Sequence, residues 1–169
     1  ERDFEIQRGT ATFSTVSRTL TAGVDYIAPS ASTSAFVRIT NSHHTGAGDA
    51  AGGGTQNSDD VTAYISNPSN IMTSFTITRP ATALATTTRV SWEIVEFIGS
   101  SGSDNEMIVR KQGALTFGGT SLTATATAAS VISDDSDVVV FVTGQANPDT
   151  AAADYNTGQV TSKWLASSN

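Results

Sequence analysis

Thr88-Arg89-Val90-Ser91-Trp92-Glu93-Ile94-Val95-Glu96-Phe97 is the stretch on which the fold class turns. In an extended chain Val90, Trp92 and Ile94 face one way while Ser91, Glu93 and Val95 face the other, the period of two that a half-buried strand requires. A helix, turning every 3.6 residues, would scatter the same residues around its axis. Strands pairing with this one are expected to bury Trp92.

Similar patterns surround it. Phe4-Glu5-Ile6-Gln7-Arg8 alternates and Thr10 to Phe13 continues in residues that suit a pleated surface, so a strand interrupted at Gly9 by a bulge or bend is expected. Leu20, Ala22, Val24 and Tyr26 carry a second strand from Thr19, stopped before Pro29. Ala35-Phe36-Val37-Arg38-Ile39-Thr40 is a third, followed by a long polar loop from Asn41 to Asp59 that contains His43 and His44. Val61 to Ile65 and Phe75 to Arg79 complete the set, separated by a turn at Pro68 and closed by Pro80.

Composition agrees with strands. Hydrophobic residues make up 38% and charged residues 15% of 169, and Leu occurs only at positions 20, 84, 115, 122 and 165, which leaves little for long amphipathic helices. The class read from this is all-β, an antiparallel β-sandwich with a thin core.

Ile98-Gly99-Ser100-Ser101-Gly102-Ser103-Asp104 has a linker's composition. Beyond it the pattern restarts: Gly113, Thr116 and Phe117 match Gly9, Thr12 and Phe13, and Thr123 and Thr125 match Thr19 and Thr21 at the same offset. Val138 to Thr143 echoes Phe36 to Thr40, a polar loop spans Gly144 to Gly158, and Val160 to Leu165 parallels Val61 to Ile65. Two readings stand, a duplicated unit with an incomplete second copy and chance similarity among Thr/Ala-rich strands. The first divides the chain into a β-sandwich repeat at 1–98, a linker at 99–105 and a shorter repeat at 106–169. An incomplete copy leaves sheet edges for other protein to cover, which points toward assembly.

Charge and missing residues narrow the function. A net charge of −7 with lysine only at Lys111 and Lys163 offers almost no basic surface for a phosphate backbone, so nucleic acid is not an expected partner. No apolar run approaches the ~20 residues that span a bilayer, and Glu1-Arg2-Asp3 lacks the order of a signal peptide; a soluble chain is expected. The chain has no cysteine, and its single Asn-x-Ser/Thr triplet, Asn67-Pro68-Ser69, is blocked by proline, both of which suit a prokaryotic or phage product.

No motif is arranged for chemistry, and no enzyme, metal or cofactor is expected. His43 and His44 would hold a metal only if Asp49, Asp59 or Asp60 folded back to them; two solvated imidazoles are the preferred reading. Asp134-Asp135-Ser136-Asp137 offers oxygen ligands without the glycine and terminal glutamate of a calcium loop, and reads better as a polar turn. Glu93 and Glu96, three apart on a strand, face opposite ways and make no acid–base pair, with Glu96 expected to reach solvent or an arginine at an interface. The glycine-rich stretch Gly46 to Gly54 lacks the Lys-Ser/Thr of a phosphate cradle, and there is no Gly-x-Ser-x-Gly elbow. That leaves the two long loops as candidate partner or ligand contacts. His43, His44 and Asp49 mark the first; Asn147, Asp149, Tyr155 and Asn156 mark the second, where a tyrosine among amides would stack on and hydrogen-bond a sugar or a protein. The alternative is loop tips that merely tolerate insertion.

The Arg8-Gly9-Thr10 start, the Ala35 to Ile39 strand, the Val61 to Ile65 strand and the closing Arg89-Val90-Ser91-Trp92-Glu93-Ile94-Val95-Glu96-Phe97 together resemble a repeat unit of virion proteins of tailed bacteriophages. The same order, ending in a Val-Ser-Trp strand, is similar to the H-type lectin domain. The resemblance spans Phe4 to Phe97, and more loosely Met107 to Leu165. It implies an antiparallel β-sandwich, frequently trimeric, serving on a virion surface as capsid decoration, tail fibre or receptor-binding material, or binding sugar as lectins do. The expected partners are further copies of the chain and major capsid or tail proteins, with glycans as an alternative. A third expectation, from the truncated second repeat, is a subunit of a cell-surface filament. The lectins' sugar contacts have no counterparts that can be placed on this sequence.

Overall fold

The computed structural model describes residues 2–45, 63–79, 87–115, 125, 138–140 and 142–144. Six strands follow one another: β1 (Phe4–Phe13), β2 (Ser17–Thr21), β3 (Ala35–Thr45), β4 (Tyr64–Ile65), β5 (Ser74–Thr78) and β6 (Thr87–Phe97). They form two three-stranded sheets, ordered β1-β6-β3 and β2-β5-β4, with every pair antiparallel. Among the described residues the only helical element is one 3-10 turn at Pro68–Asn70. The fold is all-β, as the sequence pattern implies.

One buried cluster joins the sheets in a sandwich-like arrangement. Ala11, Phe13, Val37, Val90, Trp92 and Ile94 come from the first sheet; Leu20, Ile65, Phe75 and Ile77 come from the second; Tyr26, Ala63 and Ile71 close it from the connections. Trp92 is buried among rings, with centroid distances of 5.6 Å to Phe75 and 6.2 Å to Tyr26, both edge-on. Among the described residues its buried indole N–H has no acceptor, and a buried donor left so costs about 1–3 kcal/mol. Burying the ring's surface returns about 4–6 kcal/mol, so packing decides its position. Tyr26 reaches the same core with its polar end satisfied, its hydroxyl donating to the Ile71 carbonyl at 2.8 Å.

Four local expectations need correction. β1 is not broken at Gly9: its register against β6 runs unshifted from Phe4 to Phe13, with Gly9 opposite Trp92. A Cβ at Gly9 would lie 2.7 Å from Cε2 of the indole, so glycine is there to seat a ring. The irregularity falls in β3 instead, between Ile39 and Asn41. β2 ends at Thr21, because Gly23 turns the chain at φ +80 and the Asp25 carboxylate accepts the Thr21 N–H at 2.8 Å; Val24, read as a strand residue, is left exposed. β3 runs to Thr45, so His43 and His44 are strand residues paired with Arg89 and Thr88 rather than part of a loop. Finally, Glu96 is buried rather than facing solvent: its Oε1 accepts the backbone N–H and the hydroxyl of Ser30, both at 2.6 Å.

The segment read as a linker closes on itself, Ser101 and Gly102 donating to the Glu106 carboxylate. Two later pieces of the chain meet β3 and the residues just before it: Val109 N–H donates to Thr33 O at 2.7 Å, and Ile39 N–H donates to Thr143 O at 2.8 Å. Most of the expected second repeat, including its polar loop beyond Gly144 and the Val160 to Leu165 strand, lies outside the described residues, as do residues 46–62.

The ring seat at Gly9 gives a direct test. Gly9→Ala is expected to cost about 1–3 kcal/mol by overpacking, read as a lower urea midpoint. In a Trp92→Phe background the same change should cost clearly less, because the smaller ring vacates the clash; equal losses in both backgrounds would refute the seat.

Candidate functional site

β6 lies between β1 and β3, so its outward residues are flanked on both sides, and the register fixes which side chains meet. Phe4 stands opposite Phe97; Ile6, Val95 and Phe36 form the next row; then Arg8, Glu93 and Arg38; then Thr10, Ser91 and Asn41; then Thr12, Arg89 and His43. The face is thus apolar at one end and polar at the other. Phe4 and Phe97 meet edge-on at 5.6 Å, and Phe4 and Ile6 remain exposed.

At the middle row Glu93 is held from both flanks. Its Oε1 accepts Arg8 Nε at 2.7 Å, while its Oε2 accepts Arg38 Nε at 2.9 Å and Nη2 at 2.6 Å. The carboxylate is nearly covered, with 11% of its side chain exposed, whereas Arg8 and Arg38 are 64% and 47% exposed. Hydrogen bonds from Arg38 and then Arg8 hold the Glu93 carboxyl below the usual glutamate value, outweighing the opposing effect of burial. Two guanidinium groups and one carboxylate leave this row with a net charge of +1, in a chain whose net charge is −7.

Beside that row lies an open depression of about 330 Å³, lined by Arg8, Gly9, Thr10, Thr40, Ser91, Trp92 and Glu93. Thr40 is the residue set free by the register shift in β3, and its hydroxyl lies 3.3 Å from the Ser91 carbonyl. A bulge of this kind re-aims one side chain without ending the strand.

No family model, no curated protein and no solved structure matches the chain.

Of the residues singled out from the sequence, His43 is exposed on β3 opposite Arg89, and His44 stands opposite Thr88. Asp49, Asn147, Asp149, Tyr155 and Asn156 lie outside the described residues, as do Asp59, Asp60 and the Asp134 to Asp137 run. Among the described residues no group of three metal-ligating side chains converges. The Arg8–Glu93–Arg38 row was not singled out. It was nevertheless readable: all three residues hold the outward phase of their strands, and placing β6 in the middle of its sheet brings them into one row.

The row predicts a pH dependence. Because the folded-state pKa of Glu93 is depressed, its stabilisation is present above the ordinary glutamate value near 4.5 and is lost as pH falls through the lower folded value. The denaturation midpoint of the native chain should therefore decline below that pH more steeply than that of Glu93→Gln. Parallel profiles would show that the ion pairs add nothing.

Proposed function

We propose that this chain is a non-enzymatic structural subunit of a virion, decorating a capsid or building a tail appendage, and that it binds neighbouring copies through the free rim of its first sheet. The supporting observation is the outer edge of β1. Ile98 N–H bonds Asp3 O, and by the alternation of an antiparallel ladder the backbone groups of Phe4, Ile6, Arg8, Thr10 and Thr12 point away from β6. Among the described residues only the Thr12 carbonyl finds a partner there, the Arg18 guanidinium at 2.9 Å. The outer edge of β3, in contrast, is followed by the chain's own residues 109–112 and 143.

An unpaired edge bordered by exposed Phe4 and Ile6 is the kind of surface that recruits another strand. The phage-virion assignment, the location on a particle surface and the preference for trimers rest on the sequence resemblance, and the duplication that would repeat this rim along the chain rests on the match of Gly113, Thr116 and Phe117 to Gly9, Thr12 and Phe13.

Sedimentation of the purified chain at micromolar concentration is expected to show a self-associated species. Ile6→Lys, which puts a charge on the rim without touching the core, should weaken association by at least about tenfold, or about 1.4 kcal/mol. A folded, solitary monomer at high concentration, or failure of the protein to co-purify in fixed copy number with any particle, would overturn the reading.

A further inference from the structure

The polar end of the same face has a different character from the rim. Glu93 spends both oxygens on the arginines, and in doing so it fixes the two guanidinium planes. Arg8 is held through Nε alone, so among the described contacts its two terminal nitrogens carry no bond; they form a planar donor fork at the wall of the depression. Hydroxyls of Thr10, Thr40 and Ser91 share the lining, and each can both donate and accept. Gly9 contributes no side chain to the lining, so that part of the wall is backbone.

We propose that this depression is a binding site for an acidic sugar, a uronic or sialic acid ring, with its carboxylate on the Arg8 fork and its ring hydroxyls on Thr10, Thr40 and Ser91. Three observations select this class. A net charge of +1 on the row matches one carboxylate, whereas a phosphate dianion would be left half-compensated. A volume of about 330 Å³ is near the lower end for small-molecule sites and accommodates one ring. Hydroxyls from three different strands, Thr10 of β1, Thr40 of β3 and Ser91 of β6, line it together, which suits a polyol ring. The site shares Arg8 and Thr10 with the β1 rim but uses their side chains rather than their outward backbone groups, and it does not require the chain to be part of a particle.

Isotope-labelled full-length chain titrated with galacturonate, N-acetylneuraminate, galactose and a short polyglutamate peptide tests it. The expected result is saturable amide shifts at residues 8–10, 40 and 91 with one or both acidic sugars, galactose binding on the order of tenfold more weakly or not at all, and an affinity that falls with added salt. Arg8→Lys, which keeps the charge and loses the fork, should weaken the acidic sugar on the order of tenfold; Thr10→Val, nearly isosteric, should weaken it without altering the salt dependence. Both positions are exposed, and an unchanged amide spectrum elsewhere would show that each variant is folded. The proposal fails if neither acidic sugar shifts these amides, if galactose binds equally well, if Arg8→Lys binds like the native chain, or if only the acidic peptide binds.

Discussion

The fold depends on how β6 is used on both faces at once. Inward, Trp92 must find a large cavity in a chain of small residues, and it does so by lying over Gly9 of the neighbouring strand and against Phe75 and Tyr26 from the opposite side of the core. Outward, the next residue, Glu93, is bound by an arginine from each flanking strand. A shift of β1 by one residue would bring a side chain under the indole and turn Arg8 toward the core, so the two contacts fix the same register from opposite sides of the sheet.

That double use explains why a core of few large residues suffices. Only two rings from the first sheet, Phe13 and Trp92, enter the central cluster, and the rest of the inward face is Ala11, Val37, Val90 and Ile94. The sheets are also tied at their margins by polar contacts: Arg79, at the end of β5, donates to the carbonyls of Thr15 and Ser14 in the β1–β2 connection at 2.9 and 3.1 Å, and Gln7 exchanges two hydrogen bonds with the backbone of Ile27. Long polar side chains here do work that a thicker apolar core performs in larger domains.

The two functional proposals draw on different groups of one sheet. The rim of β1 offers backbone groups and apolar side chains, chemistry suited to protein; the polar end offers a fixed guanidinium and hydroxyls, chemistry suited to a small anionic ligand. They meet at Arg8, whose backbone lies on the rim and whose side chain lines the depression, and the surplus charge of its row discourages burial of the polar end in a dry contact.

The sequence by itself determined the all-β class, the inward set Val90, Trp92 and Ile94, and the opposed directions of Glu93 and Glu96, because side-chain alternation is a local property of an extended backbone. It misplaced the ends of β2 and β3, since Gly23 and the Asp25 cap act through turn geometry and the pairing of His43 and His44 is supplied by β6. The candidate site was beyond local reading altogether. Arg8, Arg38 and Glu93 are 85 and 55 positions apart, and only strand order, which follows from how the whole chain buries its apolar face, decides that they meet.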